Sequence, residues 1–123
     1  MLLKDFYTVN EIAVADQSAT AKITINKEHE VFKGHFPGNP VTPGVCMMQI
    51  IKELTEEIVG EKLFMESCSN VKFMAIINPE LTPVLHLDLS ISKDDNLVKV
   101  KNATKFNDTV ALKLSSVFKV VKG

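Results

Sequence analysis

Long apolar runs are missing from this chain, and no stretch approaches the roughly 18 residues a membrane-spanning helix needs. An excess of charge of either sign is also missing. Lys and Arg number 14 against 15 Asp and Glu, for a net charge of −1, so neither nucleic acid nor a membrane surface is an expected partner. Only two cysteines occur, Cys46 and Cys68, with no metal-ligand spacing; both are expected as free thiols in a reducing cytoplasm. His29, His35 and His86 lack a ligand spacing as well, so no metal is expected. The opening stretch carries Lys4 and Asp5 and has no apolar signal-peptide core. With no internal repeat, low-complexity tract or linker, residues 1–123 are expected to form one domain.

Hydrophobic residues make up 46% and charged residues 24%, the balance of an ordinary globular domain with a core to bury. Apolar alternation at Ala21, Ile23 and Ile25 predicts a half-buried strand, and a weaker one lies between Phe6 and Val14. From His29 to Pro43 periodicity fails; Pro37, Gly38, Pro40, Pro43 and Gly44 crowd together, which predicts a fixed irregular loop. Val45 to Val59 contains neither Gly nor Pro. Met47, Ile50, Ile51, Leu54 and Ile58 recur there at helical spacing, opposite Gln49, Lys52, Glu53 and Glu56, and Gly60 is the stop signal.

The C-terminal part alternates with period two. Leu85, Leu87, Leu89 and Ile91 form one strand, and Val98, Val100 and Asn102 a second. Val110, Leu112, Leu114, Ser116, Phe118 and Val120 form a third. Turns at Asp94-Asp95-Asn96 and Asn107-Asp108 join them into an antiparallel meander. One helix beside one long sheet predicts an α+β domain with the sheet wrapped over the helix.

The segment GHFPGNPVTPG, Gly34 to Gly44, resembles the signature of the 3-hydroxyacyl-acyl-carrier-protein dehydratases of fatty-acid synthesis. In that family a His-Phe-Pro-Gly turn leads through Pro-Val-x-Pro-Gly into the central helix of a hot-dog fold. The resemblance extends more weakly from about Thr20 to the C-terminus, with Lys72-Phe73 where the family has Arg-Phe and with Pro79 as its later proline. Glu80-Leu81 replaces the family's Gly-Asp.

The resemblance implies that His35 takes a proton from the carbon beside a thioester carbonyl, a task that suits a group titrating near neutrality. It implies further that the Val41 carbonyl orients that ring, and that Phe36, Val41 and Gly44 contact substrate. Gly44 is expected to open the helix, where an unsatisfied amide at the positive end meets the charge growing on the carbonyl oxygen. The family's acid, Glu or Asp, stands fourteen residues after the histidine; here that position is Gln49, which has no proton to give. The family usually has Gln one turn further on, and here Glu53 stands there. Acid and amide have exchanged places, and Glu53 is the candidate relocated acid; otherwise Gln49, Lys52, Glu53 and Glu56 form a plain polar helix face.

Other residues carry less. Cys46 lies in the first helical turns but has no histidine at a fixed relation, so it reads as a small core residue, and Cys68 is weaker still. His86 alternates away from the leucine face, toward solvent. Met47, Met48, Met65 and Met74 read as core or as the lining of an acyl tunnel. Lys27, Lys33 and Lys72 read as solvated surface or as contacts to an acidic carrier.

The expected function is therefore dehydration of a 3-hydroxyacyl thioester to the trans-2-enoyl thioester. The acyl group would be carried on acyl carrier protein or coenzyme A, and no cofactor is needed. Exposed sheet edges imply a homodimer or a heterodimer of hot-dog chains. Two alternatives stay open: a non-catalytic acyl-binding partner subunit, and a hot-dog acyl thioesterase.

Overall fold

The computed structural model describes residues 5–34 and 41–121. Among these residues, six antiparallel strands form one sheet: β1 (Tyr7–Val14), β2 (Ser18–Ile25), β3 (Leu63–Phe73), β4 (Val84–Asp94), β5 (Leu97–Phe106) and β6 (Thr109–Val120). Their spatial order is β1-β2-β4-β5-β6-β3, which leaves β1 and β3 at the edges. The short helix α1 (Val31–Gly34) and the long helix α2 (Gly44–Val59) lie between β2 and β3 in the chain. This is the expected α+β arrangement of one sheet and one long helix.

The helix forms where the apolar spacing predicts it. Met47, Ile50, Ile51 and Leu54 are wholly buried on one side, joined by Cys46 and Thr55. Burial of each such aliphatic side chain contributes about 1.5–3 kcal/mol. Thr55 turns its hydroxyl back to the Ile51 carbonyl at 2.7 Å, so no polar group is orphaned on the apolar face. Gly60 ends the helix in the left-handed region (φ 74°) and donates its N–H to the Glu56 carbonyl at 2.8 Å.

Opposite the helix, the inner face of the sheet is built in complementary rows. Ala19, Ala21 and Ile23 of β2 stand across from Leu89, Leu87 and Leu85 of β4, small mostly against large. Val98 and Val100 of β5 face Phe118 and Ser116 of β6. Asn102 is buried among them, but its amide donates to the Asp88 carbonyl at 3.2 Å and its oxygen accepts from Thr104 at 2.9 Å. The two hairpin turns hold Asp95 and Asn107 at φ 53° and 54°, a conformation that Asp and Asn tolerate better than most residues.

Two elements differ from the sequence expectation. β3, eleven residues long, was not marked as a strand by periodicity. Its register against β6 shifts between Met65 and Ser67 and again between Ser69 and Lys72, so alternation is lost. Within the stretch read as irregular loop, Val31–Gly34 forms a single helical turn. His29 organises it: its carbonyl accepts from the Phe32 amide and its Nδ1 from the Val31 amide, both at 3.1 Å. Phe32 then packs on Phe6, ring centroids 5.5 Å apart.

Candidate active site

Helix α2 begins without a side-chain cap. Pro43 holds the N-cap position in extended conformation, and its carbonyl accepts from the Cys46 and Met47 amides at 3.0 and 3.2 Å. Among the described residues, the N–H groups of Gly44 and Val45 have no acceptor, and the first turn carries no acidic side chain. These donors sit at the positive end of a 16-residue helix, a setting that favours an oxygen acquiring negative charge.

The helix end opens on a cleft of about 450 Å³ lined by Val41, Thr42, Pro43 and Gly44 on one side and by Phe73 to Ile77 on the other. The Thr42 amide ties the two walls together through the Ile77 carbonyl at 2.9 Å. Most of the lining is apolar. Phe73, Met74 and Ile76 expose large hydrophobic surfaces at the end of edge strand β3. The Thr42 hydroxyl is buried there without a hydrogen-bond partner among the described residues. Gly44 suits this close approach: a β-carbon on it would stand 2.6 Å from Phe73 Cζ, so the ring would have to shift.

Further along the helix, on its half-buried flank, Gln49 and Glu53 meet. The Gln49 amide nitrogen donates to Glu53 Oε2 at 2.9 Å. Glu53 Oε1 accepts from the hydroxyl of Tyr7, which comes from the first strand, at 2.8 Å. The Tyr7 phenol is pushed well above its ordinary 10.0, first by burial, then by the Glu53 hydrogen bond and the charges of Glu53, Glu57 and Glu56. It therefore stays protonated, a donor at any physiological pH. Next to it, Phe6 is wholly buried and meets the ring of His29 edge-on at 5.1 Å as well as stacking on Phe32.

Of the residues singled out by sequence, Val41 and Gly44 share the cleft, and Gln49 and Glu53 are bonded to each other. His35 and Phe36 lie outside the described residues. Cys46 is buried, with its thiol pushed up by desolvation, and Cys68 is half-buried; neither forms a disulfide. His86 is exposed, as its place in the alternation implies. Among the described residues, no three His, Cys, Asp or Glu side chains cluster as metal ligands do. Tyr7 and Thr42 had no assigned part in the sequence reading. Tyr7 is the only tyrosine of the chain, yet no spacing rule links it to a residue 46 positions away.

Comparison with solved structures places this architecture among the hot-dog folds. A chain of the dehydratase heterocomplex ApeI:P from Xenorhabdus doucetiae superposes with a TM-score of 0.74 at 18% identity, covering 91% of this chain and 96% of that one. A hypothetical thioesterase with coenzyme A from Streptococcus pneumoniae gives 0.68 at 10% identity, covering 96% and 89%; likeness at these identities speaks for the fold alone.

Sequence comparison is more specific. The family model described as ApeI dehydratase, ApeI-like, matches residues 11–113. The chain is 33% identical over 106 residues to the 3-hydroxyacyl-acyl-carrier-protein dehydratase FabZ of Lactobacillus helveticus, covering 80% of this chain and 70% of that protein. The FabZ of Pediococcus pentosaceus is also 33% identical, over 73% of this chain and 63% of its own length. The chain belongs to the ApeI-like family of hot-dog dehydratases.

Among the described residues, no helix is long and apolar enough to cross a membrane.

Proposed function

We propose that this protein dehydrates 3-hydroxyacyl thioesters, presented on acyl carrier protein, to trans-2-enoyl thioesters. The observation that carries the reading is the pair of amides, Gly44 and Val45, that meet no acceptor among the described residues, Gly44 itself lining an apolar cleft. A thioester carbonyl seated there gains hydrogen bonds as its oxygen becomes enolate-like, so the amides stabilise the transition state more than the ground state. The apolar walls formed by Val41, Phe73 and Ile76 suit an acyl chain and exclude water from the reacting carbon.

His35 takes the proton from the carbon beside the carbonyl, and the electron pair left behind forms the new double bond as the hydroxyl departs. Gln49, standing where the family has its acid, holds no proton to deliver. The imidazolium created in the first step then protonates the leaving hydroxyl, and the reaction closes with one water released and His35 neutral. The chain sits in a reducing cytoplasm in this reading.

A second reading is favoured by the edge strand β3, whose exposed Phe64 and the neighbouring Phe73, Met74 and Ile76 leave an apolar flank for another chain. The FabZ relatives carry the acyl-carrier-protein dehydratase name, and the Xenorhabdus neighbour is a heterocomplex. A second hot-dog subunit docked on β3 would then bring the carboxylic acid that Gln49 lacks.

A hydration–dehydration assay on short and medium acyl thioesters tests both. Wild-type turnover that falls about 10²–10⁴-fold in His35→Ala supports the first reading. Turnover seen only with a co-purified partner, or gained in Gln49→Glu, supports the second. No interconversion by the protein alone, with a partner, or as Gln49→Glu would end the dehydratase reading.

A further inference from the structure

The nearly balanced charge of the chain, −1 in all, conceals how that charge is distributed. Helix α2, on the inner side of the sheet, carries Glu53, Glu56 and Glu57 against one lysine, Lys52. The outer face of the sheet is richer in lysine. Lys99 and Lys101 stand outward on β5 between the buried Val98, Val100 and Asn102, and Lys119 stands outward on β6 between the buried Phe118 and Val120. None of these three meets a carboxylate among the described residues. Lys93 and Lys105 each do, Glu61 at 3.1 Å and Asp88 at 3.3 Å.

Register interleaves the lysines with exposed apolar side chains. Lys119 lies directly across from Leu97 on one side and from Phe64 on the other, 37% and 61% exposed. The Val121 amide bonds to the Lys62 carbonyl at 2.9 Å, so exposed Val121 and exposed Lys62 continue the pattern. Cross-strand partners share a face, and the result is a checkerboard of charge and apolar surface over β3, β6 and β5. Beside Lys99 and Lys101 a groove of about 440 Å³ crosses Ser90, Ser92 and Ser115, and no acidic side chain lines it. Asp94 and Asp95 at the hairpin turn, and Glu66 where the β3 register shifts, stand at the rim.

We propose that this face docks on an anionic lipid surface, its lysines meeting phosphate headgroups while Phe64, Leu97 and Val121 enter the boundary beneath them. Lysine suits the task, because its flexible stem lets the ammonium reach a headgroup while the methylenes stay against apolar neighbours. The chain has no arginine, the residue favoured for planar, bidentate readout of nucleic acid. A second copy docked face to face about a two-fold axis would set lysine against lysine. Pairing along the β3 backbone edge, by contrast, lengthens the sheet and leaves this face open. The patch occupies the Leu63 end of β3 and the cleft its Phe73 end, so the two do not compete for one surface. Docking of this kind does not depend on the dehydratase reading.

The intact protein is sedimented with vesicles of phosphatidylcholine alone, and with about one-third phosphatidylglycerol added, in dilute buffer and at about 0.5 M salt. Binding is expected to the anionic vesicles alone and to weaken at high salt. Lys99→Gln/Lys101→Gln/Lys119→Gln is expected to lower partitioning about 10²-fold, at about fivefold for each lysine. Phe64→Ser/Leu97→Ser keeps the charge and is expected to lower it about tenfold. Lys27→Gln, outside the patch, is expected to change it by about twofold or less. Every substitution is at an exposed position, and thermal melting reads whether each variant is folded. Wild type that stays in solution with anionic vesicles overturns the proposal, as does partitioning that the three-lysine variant retains. Serine variants that bind as well as wild type overturn it too, since the face would then be a plain polyanion surface that a DNA duplex occupies equally.

Discussion

Phe73 lies over Gly44 so closely that the smallest possible side chain there would stand 2.6 Å from its Cζ. The ring is 55% exposed and belongs to the end of an edge strand, so it has room to retreat. Gly44→Ala is accordingly expected to cost no more than about 1–3 kcal/mol in stability. The retreat reshapes the cleft at the helix head, however, and kcat/KM is expected to fall about 10²-fold, as displaced catalytic geometry commonly does. Thermal melting alongside steady-state kinetics separates the two effects; a large loss of melting temperature with unchanged kinetics would refute the placement of substrate at this amide.

Tyr7 gives the protein a specific alkaline weakness. Its folded-state proton affinity is raised above the unfolded value near 10.0, so the stabilisation is whole below that pH and declines as pH rises above it. Tyr7→Phe is expected to lose this extra slope while melting somewhat earlier at neutral pH. With one tyrosine and no tryptophan in the chain, phenolate absorbance during an alkaline titration reports this residue alone. An ionisation midpoint near 10 in the folded protein would contradict the buried hydrogen bond to Glu53.

Cys46 is expected to behave as a core residue despite its position in the first turns of α2. Burial holds its thiol above the ordinary value, which withdraws the reactive thiolate. In native protein it should be alkylated about tenfold or more slowly than in an unfolded control, and Cys46→Ala should retain turnover. Fast labelling of Cys46 before unfolding, read by peptide mass mapping, would argue against this packing.

Leu54→Ala tests the core itself. Leu54 is wholly buried in the middle of the helix face that meets the sheet, and its truncation is expected to cost about 3 kcal/mol. Urea unfolding of wild type and variant measures it, and a loss below about 1 kcal/mol would mean the helix is not seated as described.

The parts of the fold legible in the sequence are those where one periodicity runs unbroken. Met47, Ile50, Ile51 and Leu54 mark the helix, and Leu85, Leu87 and Leu89 mark β4, because each faces a single buried surface along its length. β3 hides for the opposite reason. Two register shifts and a left-handed Asn70 (φ 53°) turn successive side chains out of step, so Leu63 is its only fully buried residue. The candidate site divides likewise. Val41 and Gly44 fall within a contiguous motif and were readable there. Glu53 was visible as a helical neighbour of Gln49, four residues on. Tyr7 was not, since a hydrogen bond between positions 46 apart leaves no local pattern.

Strand β1 buries little of its own surface: Tyr7 and Ile12 are half-buried and its remaining residues are exposed. Ordinarily such an outlying strand absorbs substitutions freely. Here its first residue donates to Glu53 and the phenylalanine before it is wholly buried against Phe32, so a mutational scan should find sensitivity concentrated at positions 6 and 7. The exposed positions 8–11, 13 and 14 are where a reporter group or a new contact surface can be grafted.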